Sequence, residues 1–213
     1  MRSKVTKSTF FNSQIKSLER KGVSIDTVSA PSVAGKRSKK DYLKLYLTVL
    51  TSLSRKHDII HANYGLTAPI ALMQPMRPVV LSLWGSDLMG EYSSLTKKAA
   101  KYCNEVIVMS EEMKSELGLN AHIIPHGIDL DRFSPMNQSD ARATVGWDNN
   151  GKYVLFPYNP RREVKDFSRA RNVAREVNNV ISGPVELKVV YGVDHSEIPI
   201  YMSAADALLL TSK

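Results

Sequence analysis

One cysteine, Cys103, in a chain of 213 residues leaves no partner for an intrachain disulfide and no CxxC pair for a metal. Its expected place is that of a small buried residue on a helix. No apolar run approaches the roughly 20 residues a helix needs to cross a bilayer, and no signal-peptide pattern opens the chain. The expected location is therefore cytoplasmic. GxGxxG and GxxxxGK[ST] are absent, which removes the dinucleotide fingerprint and the P-loop. HExxH, GxSxG and other triad signatures are absent as well. No metal cluster is visible, and neither an internal repeat nor a low-complexity tract occurs.

Acid is scarce at the start of the chain. Residues 1–56 hold 13 Lys/Arg against 3 Asp/Glu, whereas residues 57–213 hold 16 against 18, and the whole carries +8. A dense basic cluster falls at Lys36, Arg37, Lys39 and Lys40. A solvated basic face is the plainest account. The second is docking of the basic N-terminal third on an anionic membrane surface, a peripheral site on the inner membrane face. Nucleic acid is not expected, because no basic motif is interleaved with aromatics. An apolar fraction of 43% is ordinary for a globular protein.

Short apolar strands alternate with helices. Phe11, Ile15 and Leu18 recur at helical spacing, with Gly22 as the cap. Val23–Val28 reads as a strand and Ala30–Lys40 as a loop. Leu43, Leu47, Leu50 and Ser54 mark one face of a second helix. Strands follow at Asp58–Asn63, Val79–Trp84, Val106–Ser110 and His122–Pro125, with helices at Leu66–Gln74, around Leu95–Cys103, and from Ser110 to Gly118. After a polar break at Asp148–Lys152, strands recur at Tyr153–Tyr158, Val185–Tyr191 and Ala207–Thr211. A helix at Asp166–Asn179 turns Phe167, Ala170, Ala174 and Val177 inward. The alternation predicts an α/β fold with parallel sheets covered on both faces.

Polar groups gather at strand exits, where open α/β sheets bind ligands. In Ser82-Leu83-Trp84-Gly85-Ser86-Asp87, Gly85 permits close backbone approach, and Ser86 and Asp87 offer hydrogen bonds to a hydroxylated ligand. The same residues also describe a capped turn with Asp87 at a helix N-terminus. In His61-Ala62-Asn63-Tyr64-Gly65, Asn63 and Gly65 sit in the turn, and a strand-end His61 is more often a satisfied core imidazole than a catalyst. In Ile123–Pro135 (IIPHGIDLDRFSP), a strand runs into His126-Gly127, where a positive φ at Gly127 would turn the chain sharply. Finally, Asn159-Pro160-Arg161-Arg162-Glu163-Val164-Lys165-Asp166 places two guanidinium groups and an ammonium before a helix. That set suits an anion, a diphosphate best, or forms a solvated charge run around Glu163.

Six stretches in order, DIIHANYG, VVLSLWGSD, VIVMSEEMKSELG, IIPHGIDLDRF, FPYNPRREVKDF and YMSAADALLLTS, resemble the family-4 (group 1) retaining glycosyltransferases of the GT-B fold. The resemblance covers roughly residues 8–213. It implies two Rossmann-like parallel-sheet domains facing each other across a cleft. It further implies sugar transfer, with retention, from a nucleotide-diphosphate sugar to a glycan or lipid-linked acceptor, as in envelope polysaccharide synthesis. No metal or other cofactor is implied. Arg162 and Lys165 match an R-x-x-K pattern that neutralises the leaving diphosphate, and Arg161 would assist. Asn63, Gly65, Gly85, Ser86, His126 and Gly127 fall on the acceptor and sugar cleft. Trp84, Asp87 and His61 are the candidates for catalysis.

Three departures stand out. Many members carry His where Trp84 stands; an indole can stack on a sugar but cannot copy imidazole proton chemistry. The family's first strand precedes a helix like the one starting near Ser8, and Met1–Lys7 is too short and basic to supply it. The family's next segment, with the paired glutamates (E-x7-E) that hold the donor, is absent from the sequence, so the expectation is a member truncated at both ends. The expectation is therefore an acceptor-side domain at 1–135, a linker at 136–150, a partial donor domain at 151–213, and low or no activity. A non-catalytic acceptor- or membrane-binding remnant, a GT-B-like sugar-nucleotide epimerase and a basic nucleic-acid-binding protein are the alternatives.

Overall fold

The computed structural model of the chain describes residues 9–28, 39–53 and 57–212. The chain divides into two compact units, Met1–Gly127 and Ile128–Lys213. Both are α/β with wholly parallel sheets, as the alternation predicts.

In the first unit, β1 (Ile60–Asn63), β2 (Val79–Ser82), β3 (Glu105–Val108) and β4 (His122–Ile123) pair in sequence order. Asn63 lies opposite Ser82, so β1 and β2 end level. Leu81, Leu83 and Val108 are fully buried, as expected of strands covered on both faces. The helices are α1 (Thr9–Glu19), α2 (Lys39–Leu53), α3 (Ala68–Leu72), α4 (Ser86–Met89), α5 (Ser93–Ala100) and α6 (Glu111–Leu117). The Ser110 hydroxyl caps α6 by accepting from the Met113 N–H at 3.2 Å, and Gly118 closes it at φ +68°.

The inward face of α2 differs from the expected one. Leu45 and Val49 are buried, whereas Leu43 and Leu47 are more than half exposed. The sequence KKDYLKLYLTVLTSL is apolar on two faces, so periodicity alone does not choose between them. Ser54 lies outside the described residues. Residues 23–28 form no strand: no described strand pairs with them, and extended backbone without a ladder partner has little to hold it. Asp26 instead meets His57 at 2.9 Å. Lys39 and Lys40 open α2 rather than ending a loop. The rest of that loop, with Lys36 and Arg37, and the segment Met1–Lys7 lie outside the described residues.

In the second unit, β5 (Lys152–Phe156) lies between β6 (Val185–Val189) and β7 (Ala207–Leu208). Helix α8 (Phe167–Val180) buries Ala170 and Ala174 as expected and packs against β6. Helix α7 (Gln138–Val145) occupies the stretch read as a linker and packs against α9 (Ile198–Ala204). Its ends are well marked. The Asn137 side-chain Oδ1 accepts from the Ser139 and Asp140 N–H groups, and Gly146 closes the helix at φ +70°.

Arg142 of α7 ties this unit together. It is 5% exposed, and its Nε donates to the Ala204 carbonyl at 2.9 Å. Nη1 donates to the Asn149 carbonyl, and Nη2 lies 2.9 Å from both Asp206 oxygens. Asp206 also accepts the Tyr153 N–H at 2.7 Å, linking α7 and α9 to the start of β5. Arg142→Ala would leave two carbonyls and a half-exposed carboxylate without this donor. The expected cost is about 3 kcal/mol, at the low end for breaking a buried pair, read from urea unfolding.

Candidate functional site

At the ligand edge of the first unit, two strand-exit loops meet on one carboxylate. Asp87 is 2% exposed. Its Oδ2 accepts the Gly65 N–H and its Oδ1 the Trp84 N–H, both at 2.9 Å. Both oxygens are thus engaged by backbone, which makes Asp87 a positioning group. The Trp84 indole N–H donates to Asn63 Oδ1 at 2.9 Å, and Asn63 Nδ2 donates to Gln14 Oε1 of α1 at 3.3 Å. The Trp84 ring lies 5.0 Å from that of His126, tilted by 52°. Asn63, Gly65, Trp84, Asp87 and His126 therefore form one cluster.

The glycines contribute unequally. Gly85 takes φ +99° as the chain turns into α4, with the exposed Ser86 next. A Cβ on Gly65 would collide with the buried Thr96 side chain. Gly127 does not take the positive φ expected of it, so the exit from β4 turns without a left-handed residue there. Tyr64 takes one instead, at φ 104°. Its N–H donates to the Ser82 carbonyl at 3.0 Å, while its own carbonyl accepts from the Thr67 N–H and hydroxyl. Anchored on both sides, the residue is held in a conformation that costs on the order of 1–3 kcal/mol. Sequence carries no signal for this, because tertiary anchoring rather than residue type imposes it.

His61 shares a 2.7 Å hydrogen bond with the hydroxyl of the buried Ser82 across the β1–β2 pair. Burial holds its pKa below the ordinary histidine value. Cys103, just past α5, is half-buried, its thiol facing the Ala99 carbonyl, and burial pushes its pKa up to about 11. It is a thiol rather than a nucleophilic thiolate at neutral pH.

At the ligand edge of the second unit, the expected cations separate. Arg161 and Arg162 line an open depression of about 500 Å³ with Pro160, Glu163 and Arg171. Lys165 does not line it. Its ammonium sits 4.0 Å above the Tyr158 ring and donates to the Ser212 hydroxyl at 3.1 Å. Asp166 adopts φ +44° and caps α8, accepting from the Arg169 N–H and the Ser168 hydroxyl. The Thr211 hydroxyl donates to the Lys165 carbonyl at 2.8 Å, with the Asp166 carbonyl also in reach at 3.1 Å. Tyr158, Arg171 and Thr211 were not singled out from sequence. Tyr158 and Thr211 lie at the β5 and β7 exits, the one signal that could have found them.

Among the described residues, no three His, Cys, Asp or Glu side chains are grouped to hold a metal, and no helix is long and apolar enough to cross a membrane.

No protein-family model matches the chain, and no curated protein does. Among solved structures it is similar to sucrose-phosphate synthase from Thermosynechococcus elongatus, at TM-score 0.60 and 18% identity. The likeness covers 87% of this chain and 59% of the synthase, so the chain spans less than two thirds of that protein's length. At that identity the likeness speaks for the fold: α/β units with Rossmann-like parallel sheets of the GT-B glycosyltransferase type.

The partly buried His61 imidazole predicts an acid-sensitive fold. Its pKa is lowered in the folded state, so the unfolded chain binds the extra proton. Its contribution is complete above the unfolded value of about 6.5 and is lost as pH falls below that toward the folded value. Urea unfolding at pH 7.5 and pH 5 should show this loss in the native chain and a smaller one in His61→Gln. Equal losses in both would remove His61 as the cause.

Proposed function

We propose that the chain acts as the catalytic-fold part of a family-4 retaining glycosyltransferase. The donor is a nucleotide-diphosphate sugar held on the second unit, and a glycan or lipid-linked acceptor meets the first. The observation that carries this reading is the Lys165 ammonium held at the β5 and β7 exits, with Arg161 and Arg162 lining a separate open depression in the same loop, in a chain of GT-B-type fold. As the sugar–phosphate bond lengthens, negative charge grows on the departing diphosphate. Cations already in place meet that charge without reorganising and so lower the barrier.

On the acceptor side, Asn63, Ser86 and His126 offer polar groups beside the Trp84 indole. The indole gives a sugar a face to stack on and, with its N–H donated to Asn63, acts as neither acid nor base at neutral pH. Trp84 therefore serves recognition, and His61, partly buried and hydrogen-bonded to Ser82, serves the sheet. Retention is part of the reading with no nucleophile assigned. A cytoplasmic place beside the membrane, with the positive charge of the basic N-terminal third attracted to anionic lipid, belongs to the same proposal and would bring the enzyme to a lipid-linked acceptor.

The test is calorimetric titration of the chain with UDP, GDP and ADP at low salt. At least one should bind, and the double variant Arg162→Ala/Lys165→Ala should weaken it tenfold or more, since each charge-assisted hydrogen bond is worth about 1.5–3 kcal/mol. Absence of binding by all three, or binding indifferent to both cations, would overturn the reading.

A further inference from the structure

Lys165 is tied down at both its backbone and its tip. Its N–H donates to the Arg162 carbonyl at 2.8 Å, closing the single 3-10 turn Glu163–Lys165. Its carbonyl accepts from the hydroxyl of Thr211, which is 8% exposed and follows β7. One hydroxyl from the segment just past β7 thus fixes where the lysine stem begins. At the far end, the ammonium rests over the Tyr158 ring and donates to Ser212. The Tyr158 ring packs edge-on against the fully buried Phe156, with centroids 5.7 Å apart. The platform under the ammonium is therefore anchored in the core.

A free lysine gives up about 2 kcal/mol of rotamer entropy when it is immobilised. Here much of that loss is already incurred in the folded chain, offset by the cation–π contact and the Ser212 hydrogen bond. An ammonium has three donors: one is spent on Ser212 and one side faces the ring, which leaves donor capacity toward a ligand.

We propose that Tyr158 and Thr211 are positioning residues that pre-align Lys165 for a diphosphate group. The inference rests on the donor reading above and names how that site is organised. Tyr158 acts through its ring and not its hydroxyl; Thr211 acts through its hydroxyl and not its methyl.

The experiment titrates the full chain and four variants with whichever of UDP, GDP and ADP binds. It also follows the Lys165 ε-methylene signal by carbon–proton NMR, assigned by its loss in Lys165→Met. In the unliganded native chain that signal should be shifted upfield by the Tyr158 ring current. Tyr158→Phe and Thr211→Ser should keep both the shift and the affinity within about twofold. Tyr158→Leu and Thr211→Val should move the signal toward its free position and weaken binding about three- to tenfold, the range of a single cation–π contact or neutral hydrogen bond. Should no nucleotide bind the native chain, the donor reading fails and this inference with it. A native chain that binds, with the Leu and Val variants binding equally well, would sink the positioning role alone. An unshifted Lys165 signal in the native chain would do the same. The Thr211 pair decides the matter should Tyr158→Leu fail to fold.

Discussion

The Asp87 carboxylate accepts one backbone N–H from the exit of β1 and one from the exit of β2, at 2.9 Å each, in a site almost closed to water. Two loops that share no backbone pairing beyond the strand ends are thereby held in register. The strained Tyr64, the close contact of Gly65 with Thr96, and the Asn63–Trp84 hydrogen bond all depend on that register. Hydrogen bonds to an ionised acceptor are the stronger kind, and a buried donor left without one carries its full desolvation cost. The polar and aromatic edge of the first unit is thus as rigid as a carboxylate in its core can make it.

The second unit solves the same problem with the opposite charge. Arg142 gathers carbonyls from two segments and the Asp206 carboxylate, and Asp206 passes the link on to the Tyr153 N–H. At the ligand edge, Thr211 plays the corresponding part for the backbone around Lys165. In both units a single buried side chain ties backbone groups of separate segments together.

What could be read from the sequence follows from how locally each feature is determined. Buried parallel strands are continuous apolar runs, so VVLS, EVIV and KYVLF announce themselves, and Ser110 and Gly118 bracket α6 by their own chemistry. Helix α2 defeated periodicity because it is apolar on two sides, and α7 was passed over because eight residues with few apolar positions give a weak period, although Asn137 and Gly146 mark its ends. The cluster of Asn63, Gly65, Trp84 and Asp87 was visible as strand-exit residues, but the role of Asp87 was not. A capping aspartate and a catalytic one look alike until the partners of both oxygens are known. The separation of Lys165 from Arg161 and Arg162 likewise depends on Tyr158 and Ser212, remote in sequence and supplied by the fold.

The chain has two tryptophans, Trp84 in the first unit and Trp147 in the second, so each unit carries its own indole reporter. The measurement that bears most directly on the role of Asp87 is the nitrogen–proton spectrum of these two indoles in Asp87→Asn, paired with urea unfolding. The amide keeps the shape and loses one acceptor. The Trp84 signal should move while that of Trp147 stays, and the first unit should lose about 2 kcal/mol. A Trp84 signal and a stability that both match the native chain would contradict the claim that this carboxylate organises the ligand edge.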